Sequence, residues 1–401
     1  MSAINNSDCC PYQQASLLQQ ALAPDKMRVG FFLGAGCPVS VRDNGEALIP
    51  AVAELTKKIC QSLKSGKYKA CLDAILKRLA DSGEANPNIE IILSHIRALH
   101  DVIGKGKIDG VSKTELEELD KEICAHITSI VEKPLPSDDT PYHNLAKWIR
   151  GIKRAHPVEI FTSNYDLLME QALEECQVPY FDGFVGSRNA FFDLTSIEQE
   201  NLPARWTRLW KVHGSVNWWR NSKKDVERRE KGKGEDRQMI YPSHIKYYQS
   251  RRMPYFAMLD RLRSFLGQGQ AILVTCGYSF SDQHLNEIIK QGLSSNPTAV
   301  CFGLLFEEKS KYPEAIQCAR QHPNLSLLAL DGSVLGMTQS EWRNNQKIEH
   351  PLHELAVNVK EANKDKKEEC EFILGNFKSF GDFLAKQITQ NDMSESFTDG
   401  S

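Results

Sequence analysis

Four short segments of this 401-residue chain join small residues to polar side chains that could do chemistry. The first is Phe32-Leu-Gly-Ala-Gly-Cys37, an apolar run that ends in two glycines. A strand ending this way lets the backbone approach a pyrophosphate and aims N–H groups at the anion. Position 39 is Val, so the third glycine of the dinucleotide fingerprint has no counterpart. A plain tight turn fits these residues equally well. The second segment, Phe161-Thr-Ser-Asn-Tyr-Asp166, closes a strand-like run. Functional side chains in open α/β sheets collect at such carboxyl ends. The alternative is that Ser163 or Asn164 caps a following helix, with Asp166 in its first turn. The third segment is Trp210-Lys-Val-His-Gly-Ser215, whose His213 reads either as a catalyst or as a hydrogen-bonded structural group. The fourth, Thr275-Cys-Gly-Tyr-Ser-Phe-Ser-Asp282, ends an apolar run in Gly277 and small polar residues, with Ser281 placed to cap a helix.

The elements that must carry these segments alternate. Residues 28–33, 158–162, 208–212, 271–276, 299–306 and 325–330 read as short buried strands. Helical spacing follows most of them, at 165–175, 281–290 and 312–320. Strands alternating with helices predict an α/β fold, a Rossmann-like doubly wound parallel sheet. Residues 64–152 break the rhythm. Apolar positions at 67–79, 89–103 and 113–132 keep helical spacing, and Ser112-x-x-Glu115 fits a capping box. An inserted helical subdomain is expected there.

Four further expectations complete the organisation. Residues 1–25 form a polar arm with a short helix near 13–22, and residues 26–332 form the main domain. Residues 333–389 form a C-terminal extension whose stretch 350–389 reads as one or two amphipathic helices, and 390–401 a disordered tail. The charge-dense stretch 220–237 reads as a solvated loop, since its acidic and basic residues interleave.

Composition excludes several classes. With 41% hydrophobic and 25% charged residues the chain can bury a sizeable core. A net charge of -3 supplies no global field toward nucleic acid or an anionic membrane. The eleven cysteines are scattered and include no C-x-x-C, which argues against a four-cysteine zinc module and a disulfide framework. The first seven residues are neither basic nor apolar, and no apolar run nears the roughly 20 residues of a membrane span. A cytoplasmic, reduced protein is expected.

The order of the four motifs carries more than any one of them. Gly-Ala-Gly with a downstream Ile49-Pro50, then Thr-x-Asn-x-Asp, Val-His-Gly and Gly-x-Ser resembles the sirtuin-like NAD-binding superfamily over most of residues 28–332. The resemblance implies cleavage of the bond between nicotinamide and ribose, with NAD as substrate and no metal. Sirtuin deacylases carry a four-cysteine zinc ribbon between the last two motifs, yet here that interval holds only Cys276. Ser163 and Pro38 stand where the family has Gln and Ser. The wording of residues 277–282 is similar to sirtuin-like domains of bacterial antiphage defence. Among these the chain most resembles the stand-alone subunits that pair with a HerA-type hexameric ATPase. The resemblance thus implies an NAD hydrolase acting as a defence effector, with a catalytically idle nucleotide-binding subunit or a deacylase as alternatives. It assigns Asn164 to the attacking water and ribose, His213 to the general base and ribose contact, and Asp166 to the nicotinamide side or to the support of Asn164. Gly34, Ala35 and Gly36 would cradle the pyrophosphate, with Cys37, Thr162 and Ser163 beside them, and Gly277 and Ser279 would meet the adenosine half. A homo-oligomer larger than a dimer is expected, because helices beyond those covering the sheet must bury their apolar faces.

Overall fold

A computed structural model describes residues 10–199, 201–221, 223, 225–229, 237–239, 253–343, 353–360 and 369–395. Its main sheet contains β1 (Arg28–Leu33), β2 (Glu159–Thr162), β3 (Tyr180–Phe181), β4 (Thr207–Lys211), β5 (Ala271–Cys276), β6 (Val300–Leu304), β7 (Leu325–Ala329), β8 (Gly332–Leu335) and β9 (Thr338–Glu341). The strands lie in the order β9-β8-β7-β6-β5-β1-β2-β4-β3. The run from β7 to β3 is parallel, and β8 and β9 add an antiparallel edge. Every residue of β5 and all but the first of β1 are buried, so both faces of the sheet are covered. The chain leaves β1 toward β2 on one side and returns to β5 on the other. That reversal is the topological switch point where open α/β sheets bind ligands.

Twelve helices of the described residues dress this sheet. Ahead of β2 come α1 (Pro11–Leu22), α2 (Gly36–Val39), α3 (Val52–Leu63), α4 (Lys69–Asp81), α5 (Ile89–Val102), α6 (Lys113–Val131) and α7 (Pro141–Gly151). Then follow α8 (Leu168–Glu175), α9 (Tyr255–Gly267), α10 (Gln283–Ser295), α11 (Pro313–Ala319) and α12 (Phe377–Glu395), besides one-turn segments Leu194–Gln199 and His353–Ala356. On one face Trp148 of α7 meets Phe31 edge-on at 5.5 Å, and Phe377 of α12 meets Tyr142 at 4.9 Å. On the other, Phe265 of α9 meets Phe161 edge-on at 5.6 Å and fills the space beside Gly30, where a Cβ would come within 2.7 Å of its ring.

Of the inserted helices, α5 and α6 pack on α3 and on each other, and α4 packs on both of them; Leu72, Ile75, Ile92, Ile96, Leu119 and Ile123 are all buried. Ser112 and Glu115 form the capping box that their spacing predicts. The subdomain is not wholly helical. Lys107–Ile108 pairs with Val111–Ser112 around Asp109 and Gly110, both with positive φ, the geometry of a two-residue Asp-Gly hairpin turn. Residues 141–151, expected within the insertion, instead form α7 beneath the main sheet.

Other expectations change as well. Within the stretch 350–389, Val357–Lys360 and Glu369–Phe372 pair antiparallel, because Val357, Cys370 and Phe372 bury alternate positions with period two. Upstream, β8 and β9 take up residues expected in the same helical extension. Helix α12 runs through 390–395, where a tail was expected, and 396–401 lie outside the described residues. Strand Gly214–Arg220, unread in the sequence, pairs with Val226–Arg228 and Arg237–Met239. Those partners make the edges of the charged stretch part of a second sheet, while residues 222, 224 and 230–236 lie outside the described residues. Residues 1–9 also lie outside them. Helix α1 buries Leu18 and Leu22 against the core.

Candidate active site at the carboxyl ends of four central strands

Strands β5, β1, β2 and β4 lie side by side, and the turns after them open into one cleft of about 280 Å³. Ala35 comes from the turn after β1. Ser163, Asn164, Tyr165 and Asp166 follow β2, and His213 follows β4. Gly277, Tyr278, Ser279, Ser281 and Asp282 follow β5. The opposite wall is apolar and comes from outside the sheet: Ile49 and Pro50, Val52 and Leu55 of α3, Ile89 of α5, and Ile127 and Val131 of α6. The inserted helices therefore complete the cleft. Glu90 of α5 is their one carboxylate on its wall.

Two of the turns cross at backbone distance. The Gly34 N–H donates to the Cys276 carbonyl and the Gly36 N–H to the Gly277 carbonyl, both at 2.9 Å. A Cβ on Gly34 would lie 2.7 Å from the Gly277 carbonyl carbon and from the Tyr278 Cα. Gly277 has φ +65, the left-handed region where glycine is unstrained. The glycines are thus needed to pack one turn on the other, whatever else they do.

Asn164 is locked from both ends. Its backbone N–H donates to Thr162 Oγ1 at 3.0 Å, and its Nδ2 donates to the Gly34 carbonyl at 3.0 Å. Thr162 Oγ1 in turn donates to the Leu33 carbonyl at 2.8 Å. Asp166 accepts the Leu168 N–H at 3.1 Å, so it serves the start of α8 while it lines the cleft. Burial pushes its carboxyl up to about 6, partly opposed by the Lys211 ammonium. Lys211 is itself buried; it donates to the Asp166 carbonyl and to Glu170 Oε1, the latter at 2.9 Å. His213 Nε2 lies 3.2 Å from Asp282 Oδ2.

Seven of the eleven residues singled out in the sequence line this one cleft: Ala35, Ser163, Asn164, Asp166, His213, Gly277 and Ser279. The other four stand behind its wall. Gly34 and Gly36 face the neighbouring turn, and Thr162 holds the backbone of Asn164. Cys37 is fully buried and donates to the Cys276 carbonyl at 3.2 Å; burial pushes its thiol well up, which suits a packed thiol better than a ligand contact. Sequence reasoning missed Asp282 as a partner of His213. It also put the helix cap on Ser281, whereas Asp282 accepts the two N–H groups that open α10. The only signal was an acidic residue at the end of the fourth motif, with nothing to show that its second oxygen reaches another strand end.

Residues 158–325 match the SIR2-like domain family model. The match takes in the last three motifs and ends at the first residue of β7. No curated protein sequence matches the chain significantly. Among solved structures, the chain is similar to a Sir2 homologue in complex with NAD, at 14% identity over 78% of this chain and 87% of that one, with a TM-score of 0.39. It is similar also to a Sir2 structure bound to an acetylated peptide, at 11% identity over 72% and 85%, with a TM-score of 0.32. Among the described residues, no group of His, Cys, Asp and Glu side chains is placed to hold a metal ion, and no helix is long and apolar enough to cross a membrane.

Proposed function

We propose that this SIR2-like cleft hydrolyses NAD at the bond between nicotinamide and ribose. The observation that carries the reading is the convergence of Asn164, Asp166 and His213, from two separate strand ends, on one cleft with an apolar far wall. The match of residues 158–325 to the SIR2-like domain supports it.

Nicotinamide departs readily because it leaves a pyridinium as a neutral molecule. The C1′–N bond breaks with its electron pair going to nitrogen, and positive charge develops on the ribose as in glycoside hydrolysis. What the protein must add is a positioned water, a base and an environment that excludes bulk solvent. Asn164, held rigid by Thr162 and Gly34, orients the water. His213 accepts the proton released as the water oxygen bonds to C1′. The apolar wall receives the nicotinamide ring, and Asp166 holds its carboxamide by accepting from the amide N–H. Gly277 and Ser279 border the remaining part of the dinucleotide. The products are nicotinamide, ADP-ribose and one proton.

A free NAD hydrolase would harm its own cell, which supports control by assembly. We accordingly propose a homo-oligomer that acts in antiphage defence with a HerA-type hexameric ATPase. The activity is tested by incubating the full chain with NAD, with and without an acetylated peptide, and resolving the products chromatographically. Peptide-independent release of nicotinamide and ADP-ribose is expected, whereas release that requires the peptide would favour a deacylase.

A further inference from the structure

Asp282 does two things at once. Its Oδ1 accepts the His284 and Leu285 N–H groups at 3.0 and 3.2 Å, which caps α10. Its Oδ2 lies 3.2 Å from His213 Nε2, and both side chains are about nine-tenths buried. The corner is braced. The Tyr278 hydroxyl donates to Asn286 Oδ1 at 2.8 Å, and Asn286 Nδ2 donates to the Phe280 carbonyl at 2.6 Å. A carboxylate that caps a helix is favoured in its ionised form by the N–H groups and the positive helix end. One oxygen is thereby fixed to the helix, and the other is presented to the imidazole.

We infer that Asp282 is the positioning residue of His213: it fixes the ring and strengthens its hold on a proton. This rests on the reading of His213 as the base in NAD hydrolysis. An anion hydrogen-bonded to an imidazole selects one orientation of the ring and stabilises the imidazolium formed when the base takes its proton. The pair joins the turns after β4 and β5, so the base from one strand end is aligned by the helix that leaves another. The other ionisable groups on the cleft wall are Glu90 from α5, Tyr165 and Asp166 from the turn after β2, and Tyr278 from the turn after β5.

Asp282→Asn removes the charge, leaves those groups in place and keeps a good helix cap, since Asn caps about as well as Asp. The test is a nuclear magnetic resonance titration of histidine-labelled full-length protein, with the His213 signal assigned by its loss in His213→Ala. In Asp282→Asn the His213 midpoint should fall by about one pH unit, a roughly tenfold loss of proton affinity. With NAD, kcat should fall about tenfold with KM nearly unchanged, and the acid limb of the pH profile should move down with the midpoint. Asp282→Ser, a second good cap without charge, repeats the measurement if the first variant folds poorly. An unchanged His213 midpoint in a folded variant overturns the inference. Failure of the wild-type protein to cleave NAD would instead overturn the functional reading, and the titration would still decide the pairing.

Discussion

Gly34→Ala separates two roles for the glycine-rich turn. If Gly34 only lets a pyrophosphate approach, the substitution weakens substrate binding and leaves the fold alone. The structure predicts otherwise. The added Cβ would meet the Gly277 carbonyl carbon and the Tyr278 Cα at 2.7 Å, about 0.7 Å short of ordinary contact, and both obstacles are backbone. Opening the crossing by that much stretches the Gly34-to-Cys276 and Gly36-to-Gly277 hydrogen bonds from 2.9 Å beyond the usual range. Each bond contributes about 1 kcal/mol net, and overpacking a tight site costs about 1–3 kcal/mol. A loss of roughly 3–5 kcal/mol is therefore expected, read as a lower midpoint in urea unfolding. Gly106→Ala serves as a control, because its Cβ would meet nothing within 4 Å and should change stability by under about 1 kcal/mol. A Gly34→Ala protein that unfolds at the wild-type midpoint yet no longer cleaves NAD would refute the packing argument.

Two more outcomes rest on buried charges, and a third tests the proposed assembly. Because burial lifts the Asp166 carboxyl from 3.8 to about 6, the unfolded chain ionises first as pH rises, and stability should decline between about pH 4 and 6. Asp166→Asn should flatten that decline by roughly 2–3 kcal/mol in pH-dependent unfolding, and an unaltered slope would count against a buried carboxyl. Lys211→Met leaves Glu170 buried without its ammonium partner and should destabilise by about 3–5 kcal/mol in thermal or urea unfolding, with Glu170→Leu added to it recovering much of the loss. Light scattering across a concentration range should report an assembly larger than a dimer, and a strictly monomeric chain with full NAD-cleaving activity would sink the proposal that assembly controls it.

The central sheet was legible because its strands are buried on both faces and so read as continuous apolar runs bounded by glycine and small residues. Residues 28–33 and 271–276 stand in the structure with the bounds expected of them. Elements with weaker local signals were not legible. Gly214–Arg220 alternates only loosely, and its ladder partners come from a stretch whose charges pointed to solvent. The 357–360 and 369–372 pair was obscured by neighbouring residues with helical spacing. In the site, strand ends located Asn164, Asp166, His213 and Gly277, because a parallel sheet brings such ends together. Which side chains touch across strands was not legible: the Asp282 contact with His213, the facing of Gly34 onto Gly277, and the apolar wall from α3, α5 and α6 depend on tertiary packing alone.

The most direct test of the account follows NAD by chromatography in the presence of wild-type protein, Asn164→Ala and His213→Ala, with folding of each checked by circular dichroism. The wild type should convert NAD to equimolar nicotinamide and ADP-ribose. Each variant should be slowed by about 10²–10⁴-fold, the usual worth of a positioned acid–base group. Intact NAD in the wild-type reaction, tested alone and with a candidate HerA-type ATPase, would contradict the account, as would undiminished turnover in both folded variants.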